Sequence, residues 1–291
     1  MNIIFQVKGG LGKVIASTAV VKGLKKKYPK SNLIVISSFP DVFISNPNVY
    51  KFYGFDEIKG IYSKYVHNKP NKIFLQDPYE HPDHFSQETH IIKTWFKLFN
   101  LTYNNESPEI HLLPSELEYY DASFSSSPLP ILALHCNGGP TMQTSQYSWP
   151  RDIPYSNILD VIDHYKKTHT IVHIKHSGQA NYPNTIPMVD SWRGVAVLLL
   201  MSQKRLLIDS FSQHLASALH LPSTVCWLVT KPKVFGYDIH NNIAANPYTK
   251  TPNYKDSAYL DFDFHEELHK LPYHELTDIF DSKKIINSLN K

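Results

Sequence analysis

The sequence predicts an α/β protein of two domains, each built on a parallel sheet. Three observations carry this. The 291 residues amount to about two domains at roughly 150 residues each. Apolar runs of strand length alternate with longer helical patterns along the chain. The alternation then restarts after a small, polar, proline-containing stretch, Ser125 to Pro130, which reads as a linker.

Taken in order, Asn2 to Val7 is a short apolar strand, followed by the loop Gly9-Gly10-Leu11-Gly12. Lys13 to Lys27 has helical spacing through Val14, Ala16, Val20, Val21 and Leu24, and Tyr28-Pro29 stops it. Asn32 to Ser37 is a second strand. A strand, a helix and another strand in this order imply a crossover between parallel strands. Ile73 to Leu75 is a further strand ending in Gln76-Asp77-Pro78, and Ser86 to Phe99 is a helix with Ile91, Trp95 and Leu98 on one side.

The second half repeats the scheme. Leu129 to Cys136 is a strand that runs into Asn137-Gly138-Gly139-Pro140. Helices are expected at Tyr155–Lys167, Gly194–Gln203 and Phe211–His220, and strands at Thr170–Ile174, Arg205–Asp209 and Thr224–Val229. His274 to Asn290 reads as a terminal helix. The expected division is 1–127, 128–272 and a terminal segment 273–291.

Composition excludes several classes. With 29 basic against 26 acidic residues and 42% hydrophobic content, the chain is a globular protein and not a disordered polyelectrolyte. No apolar run approaches the ~18 residues of a membrane span. The amino terminus enters a strand directly, without the features of a signal peptide. Cys136 and Cys226 are the only cysteines, so no disulfide framework is expected and a cytoplasmic setting is. His81-x-x-His84 and His265-x-x-x-His269 are the only metal-type spacings, and no metal site is expected from them. Glycine is scarce, 11 in all, yet five fall in the two clusters at Gly9–Gly12 and Gly138-Gly139.

Those clusters point to backbone that comes close to something. Lys8-Gly9-Gly10-Leu11-Gly12-Lys13 lies between a strand and a helix, where ligands of open α/β sheets bind. It is not a nucleoside-triphosphatase P-loop, since Val14 stands where Ser or Thr belongs. It is not a dinucleotide loop, since Ile15 stands in place of the third glycine. Asp209-Ser210-Phe211-Ser212-Gln213-His214 is a second strand-to-helix turn, with Ser210 and Gln213 at capping-box spacing and His214 one turn in. Helix starts of this kind are anion sites. A tight turn and a well-capped core helix are the plain alternatives to each.

The segment from Arg205 to Tyr237 resembles the carboxyl-terminal signature of the heptosyltransferase-like glycosyltransferases, glycosyltransferase family 9. In that family a strand leads to Asp-[Ser/Thr]-Gly-Pro-x-His, a small-residue helix, a strand and a Pro-Lys segment. Lys8 to Gly12 resembles the family's opening Gly-rich loop, and Trp149-Pro150 resembles its Lys-x-Trp-Pro segment. The resemblance implies the GT-B fold, two Rossmann-like domains facing across a cleft, with the last helix crossing back to the first domain. It also implies transfer of a sugar from a UDP- or ADP-linked donor to a saccharide acceptor of lipopolysaccharide or capsule type, by an inverting reaction needing no metal or other cofactor.

The sequence departs from the family at two places. Phe211 and Ser212 replace Gly-Pro, while Asp209, Ser210 and His214 stay in register. Lys13 occupies the place of the Asp that serves as the family's base. Lysine suits the donor phosphates better than base catalysis, so Asp77 is the expected base, with Glu80, His81, Asp83 and His84 beside it on the same edge. The expected donor contacts are Gly9, Gly10, Gly12, Gly138, Lys175, Asp209, Ser210, Ser212, Gln213, His214 and Lys231. Two other readings stand beside this one. Lys- and Tyr-rich composition and the stretch Tyr62 to Lys69 would suit a phage enzyme acting on hydroxymethylated bases in duplex DNA. Lys13 would also suit a binder of nucleotide sugars or glycans that has lost its base.

Overall fold

The computed structural model describes residues 1–124, 127–138, 150–250 and 271–291. Gly139, Trp149 and the His265/His269 pair lie outside them. Two sheets form, and every pairing in both is parallel. The first comprises β1 (Asn2–Val7), β2 (Asn32–Ser37), β3 (Lys51–Tyr53) and β4 (Asn71–Phe74), in the order β3-β2-β1-β4. The second comprises β5 (Ile131–Leu134), β6 (Thr170–Ile174), β7 (Ile186–Met188), β8 (Ser202–Ile208), β9 (Thr224–Trp227) and β10 (Asn241–Ala244). Its order is β10-β9-β8-β5-β6-β7. This is the two-sheet α/β architecture the sequence predicts.

Why β1 and β2 read as unbroken apolar runs follows from their place. Ile3, Phe5, Val7, Leu33 and Val35 face the helical core, while Ile4, Ile34 and Ile36 pack under Ile61 and Tyr65 on the other face. Strands buried on both faces carry no polar alternation.

The helices are α1 (Leu11–Lys27), α2 (Pro82–Phe85), α3 (Ile91–Leu98), α4 (Pro114–Phe124), α5 (Tyr155–Tyr165), α6 (Trp192–Met201), α7 (Phe211–Ala218), α8 (Pro232–Phe235) and α9 (Ser282–Leu289). α1 sits centrally, against α3 of its own half and α7 of the other. It is therefore buried over most of its surface, with Val14, Ile15, Ala16, Ala19, Val20, Val21 and Leu24 fully buried. Gly23 admits α3: a methyl group there would stand 2.6 Å from Phe96 Cζ.

The start of α6 ties the two sheets together. Trp192 Nε1 donates to Asp41 Oδ2 at 2.6 Å. The Arg193 guanidinium donates to the His111 carbonyl at 2.8 Å, to Glu116 Oε2 at 2.7 Å and to the Asp41 carbonyl at 3.2 Å.

Several expectations are corrected. The helix expected over Ser86–Phe99 breaks, because Gln87 takes φ +54° and His90 is extended, so α3 starts only at Ile91. The expected helix Gly194–Gln203 ends at Met201 and β8 starts at once, since Ser202 is already extended. The expected terminal helix His274–Asn290 is a short 3₁₀ turn, Leu276–Asp278, followed by α9, which Asp281 caps through Lys283 N. α9 does not cross back to the first sheet. Ile285 and Leu289 pack with Val161 and Ile162 of α5, and Asn157, Tyr165 and Thr224 hydrogen-bond to the 280–290 segment. Strands β3, β7 and β10 are edge or near-edge pieces that short, half-polar sequences did not announce.

Candidate active site

The carboxyl ends of β1 and β8 meet across α1 and α7. After β1, Gly9 takes φ +117°, a conformation open to glycine, and its N–H reaches Ser38 Oγ at 3.2 Å. Helix α1 then begins at Leu11, so Gly12 and Lys13 lie in its first turn. Gly10 at its start offers no side-chain cap. The start of α7 is uncapped too: Ser210 makes no side-chain cap, and Gln213 turns away to donate to the Phe235 carbonyl at 3.0 Å. The capping box expected there does not form. Two helix amino termini with unspent first-turn N–H groups therefore face one space.

They come close because of Gly12. A methyl group on it would stand 2.6 Å from His214 Cδ2 and 3.3 Å from the Phe211 Cα. Between the two starts lies a cavity of about 410 Å³. Gly10, Gly12, Lys13, Asp209, Ser210 and His214 line it, all expected from the sequence. Tyr79, Arg151 and Thr230 also line it and were not expected. Arg151 directly follows the Trp149-Pro150 motif, and Thr230 directly precedes Lys231, so each lay one residue from a signal.

Lys13 carries the most telling contact. Its Nζ stands 2.5 Å from Asp77 Oδ2 and 4.1 Å from the centre of the Tyr79 ring. Asp77 follows β4, and its Oδ1 accepts from the Tyr79 N–H at 3.0 Å. Asp77 opens on a second, smaller cavity of about 170 Å³. Lys13 lines both cavities, and Asp77 only the smaller one.

Asp209 is buried, and burial pushes its carboxyl upward against the opposing effects of the Thr230 hydroxyl and Arg151. Thr230 Oγ1 donates to Asp209 Oδ2. Burial holds His214 neutral, down to about 3, with His90 and His240 adding to the effect. Its Nδ1 pairs with the Tyr237 hydroxyl at 2.8 Å. His84, stacked on Tyr79 at 4.6 Å, is lowered to about 4 by burial, with Asp77 opposing and Lys13 assisting.

The remaining expected residues lie elsewhere. Ser212 is fully buried, with its hydroxyl 2.6 Å from His135 Nδ1, so it ties α7 to the end of β5. Lys175 is spent on Asn181 Oδ1 at 2.6 Å and on the Gln179 carbonyl. Gly138 donates to Asp152 Oδ1 at 2.7 Å and accepts from Gln179 at 2.6 Å, closing the loop beside Arg151. Lys231 stands exposed before α8. His81 caps α2 through Asp83 N, and among the described residues no group of three or more His, Cys, Asp or Glu is placed to hold a metal. The Tyr62–Lys69 stretch begins with a π-helical turn whose Tyr65 is buried under the first sheet. No described helix is long and apolar enough to cross a membrane.

No protein-family model and no curated protein sequence matches the chain. Solved structures do. The chain is similar to a glycosyl transferase family 9 protein from Veillonella parvula DSM 2008, with TM-score 0.70 and 12% identity over 99% of this chain and 96% of that one. It is similar to the ADP-heptose LPS heptosyltransferase II of E. coli, with TM-score 0.64 and 12% identity over 94% and 98%. A third likeness is to the iron-containing dodecameric glycosyltransferase TibC of enterotoxigenic E. coli H10407, with TM-score 0.65 and 13% identity over 99% and 76%. These likenesses show the fold: over nearly its whole length the chain has the GT-B architecture of two facing α/β halves.

Proposed function

We propose that this protein is a glycosyltransferase that moves a sugar, with inversion, from a nucleotide-sugar donor to a hydroxyl of a saccharide acceptor. The observation that carries this is the pair of uncapped helix starts, α1 and α7, converging on one cavity with Arg151 and Lys13 in its wall. A diphosphate suits such a place: free N–H groups, two positive dipole ends and two cations meet its charge, and hold it better still as it departs. Asp209 and Ser210 face the sugar and its linkage to the phosphate. The donor side corresponds to 128–272 and the acceptor side to 1–127. Buried, unpaired Cys136 and Cys226 fit a cytoplasmic setting.

Asp77 supplies the carboxylate that Lys13 displaced from the first turn of α1. An acceptor oxygen attacks the anomeric carbon, and the bond from that carbon to the donor phosphate breaks. The electron pair leaves with the nucleoside diphosphate, and the hydroxyl proton passes to Asp77. Lys13 holds Asp77 in place and adds positive charge next to the departing phosphate. A carboxylate so placed speaks for a working enzyme over a binder that has lost its base.

The test is a screen of ADP-, UDP- and GDP-linked sugars for thermal stabilisation, followed by nucleotide release with saccharide acceptors. At least one donor is expected to stabilise the protein and to turn over. No stabilisation and no release with any of them would sink the reading.

A further inference from the structure

The smaller cavity differs in chemistry from the larger one. It lies between the carboxyl ends of β1 and β4, and only residues of the first half line it. Of its two lysines, Lys13 is already paired with Asp77, and Lys8 lies over the Phe55 ring at 5.3 Å. What is left is Lys8 and a set of neutral or acidic hydrogen-bonding groups, Gln6, Gln76 and Glu80, around the exposed side chain of Leu75. A second observation stands apart from these surface groups. Trp95 lines the same cavity, is 1% exposed, and its buried indole N–H has no hydrogen-bond partner. An indole N–H only donates, so it requires an oxygen lone pair, and buried donors are rarely left unmatched.

We infer that this cavity is the acceptor subsite and that it takes an uncharged sugar ring, held through neighbouring hydroxyls, in preference to a carboxylated, phosphorylated or nucleic-acid acceptor. The inference rests on the transferase reading above and deepens it. Hydroxyls both donate and accept, which matches Gln6 and Gln76, the Glu80 carboxylate and the Trp95 N–H at once. Leu75 meets the apolar face of a ring. A phosphate or carboxylate would instead meet Glu80 and Asp77 with one unpaired lysine to offset them. A DNA backbone needs clustered cations, which this wall lacks. A ring hydroxyl lodged here lies beside Asp77 and next to Lys13, which lines the donor cavity as well.

The test needs no donor. The whole protein, labelled with heavy nitrogen at tryptophan, is titrated with the methyl glycosides of glucose, galactose and mannose, and separately with glucuronate, a hexose phosphate and a short DNA duplex. The Trp95 indole signal, identified by its loss in Trp95→Phe, is expected to move with a neutral glycoside and to stay still with the charged probes. Movement with a charged probe, or with none, overturns the inference. In the transfer assay, Gln76→Leu, a surface change that leaves the fold intact, is expected to raise the acceptor KM about tenfold with the donor dissociation constant kept. An unchanged KM counts against the inference. Failure of every nucleotide sugar to bind overturns the transferase reading alone, because the indole titration reports on the sugar pocket independently.

Discussion

Lys13 Nζ and Asp77 Oδ2 stand 2.5 Å apart, joining the first turn of α1 to the end of β4. Lys13 lines both cavities, and Asp77 lines the smaller one. Asp77→Asn keeps the shape and removes the proton acceptor. Turnover is expected to fall by ~10²–10⁴-fold, the usual worth of a positioned base, with donor affinity kept. Steady-state transfer and donor calorimetry check this. Near-normal turnover removes Asp77 from the mechanism.

Lys13→Met is expected to act on both sides of the pair. Donor binding weakens through the lost charge, and turnover drops because Asp77 is no longer held. Calorimetry with a nucleoside diphosphate separates the first effect from the second. Lys13→Arg is not expected to restore full activity, since a planar fork does not reproduce a point charge.

Gly12→Ala tests the approach of α1 to α7. The added methyl meets His214 at 2.6 Å and the Phe211 backbone at 3.3 Å, so the helices must separate. Overpacking of this kind costs about 1–3 kcal/mol. A fall in the urea midpoint together with loss of donor binding is expected. Gly10→Ala has open space around it and is expected to leave stability within about 0.5 kcal/mol.

Arg193 is buried, and its guanidinium holds together Glu116, the His111 carbonyl and the Asp41 carbonyl. Arg193→Met leaves the Glu116 carboxylate without its cation, and about 3–5 kcal/mol of stability is expected to be lost. Chemical denaturation measures it. A loss below 1 kcal/mol contradicts the role of this residue as a tie between the sheets.

Acid should destabilise the folded chain. Burial lowers His84, His90 and His240 to about 4 and His214 to about 3. Asp77 opposes the effect at His84, and the Gly236 backbone and Asp238 oppose it at His90. Unfolded histidine titrates near 6.5, so between about pH 6.5 and 4 the unfolded chain binds more protons than the folded one. The stability conferred by neutral, buried rings is whole above pH 6.5 and is lost as pH falls below it, by about 1.4 kcal/mol per pH unit for each ring. Urea midpoints at pH 7 and pH 5 test this, and equal midpoints contradict it.

Much of this was legible in the sequence because the central parallel strands and α1 are buried on every side. Unbroken apolar runs such as Asn2–Val7 and Thr224–Trp227 have no other home. Edge strands β3 and β7 were not, since exposure removes the pattern that would mark them. The site was half legible. Gly12, Lys13, Asp209 and His214 announced themselves through two strand-to-helix turns, and the structure brings them together. Arg151 and Thr230 reach the cavity from loops and Tyr79 from a short 3₁₀ turn, Pro78–Glu80, whose paths no periodicity records. Gln213 misled for a related reason: capping-box spacing with Ser210 does not decide which way a side chain turns, and it turns to the Phe235 carbonyl, while Ser212, an expected donor contact, turns inward to His135. The place of α9 followed the family resemblance rather than the residues, and Ile285 and Leu289 found their apolar partners on α5 instead.

In the proposed reaction the donor diphosphate lies between the starts of α1 and α7. A crystal structure of the protein with the stabilising nucleotide sugar tests it most directly. The diphosphate is expected within hydrogen-bond reach of the Phe211 or Ser212 N–H, with Arg151 or Lys13 beside it and the anomeric carbon turned toward Asp77. A diphosphate bound away from both helix starts, or an anomeric carbon facing away from Asp77, would contradict it.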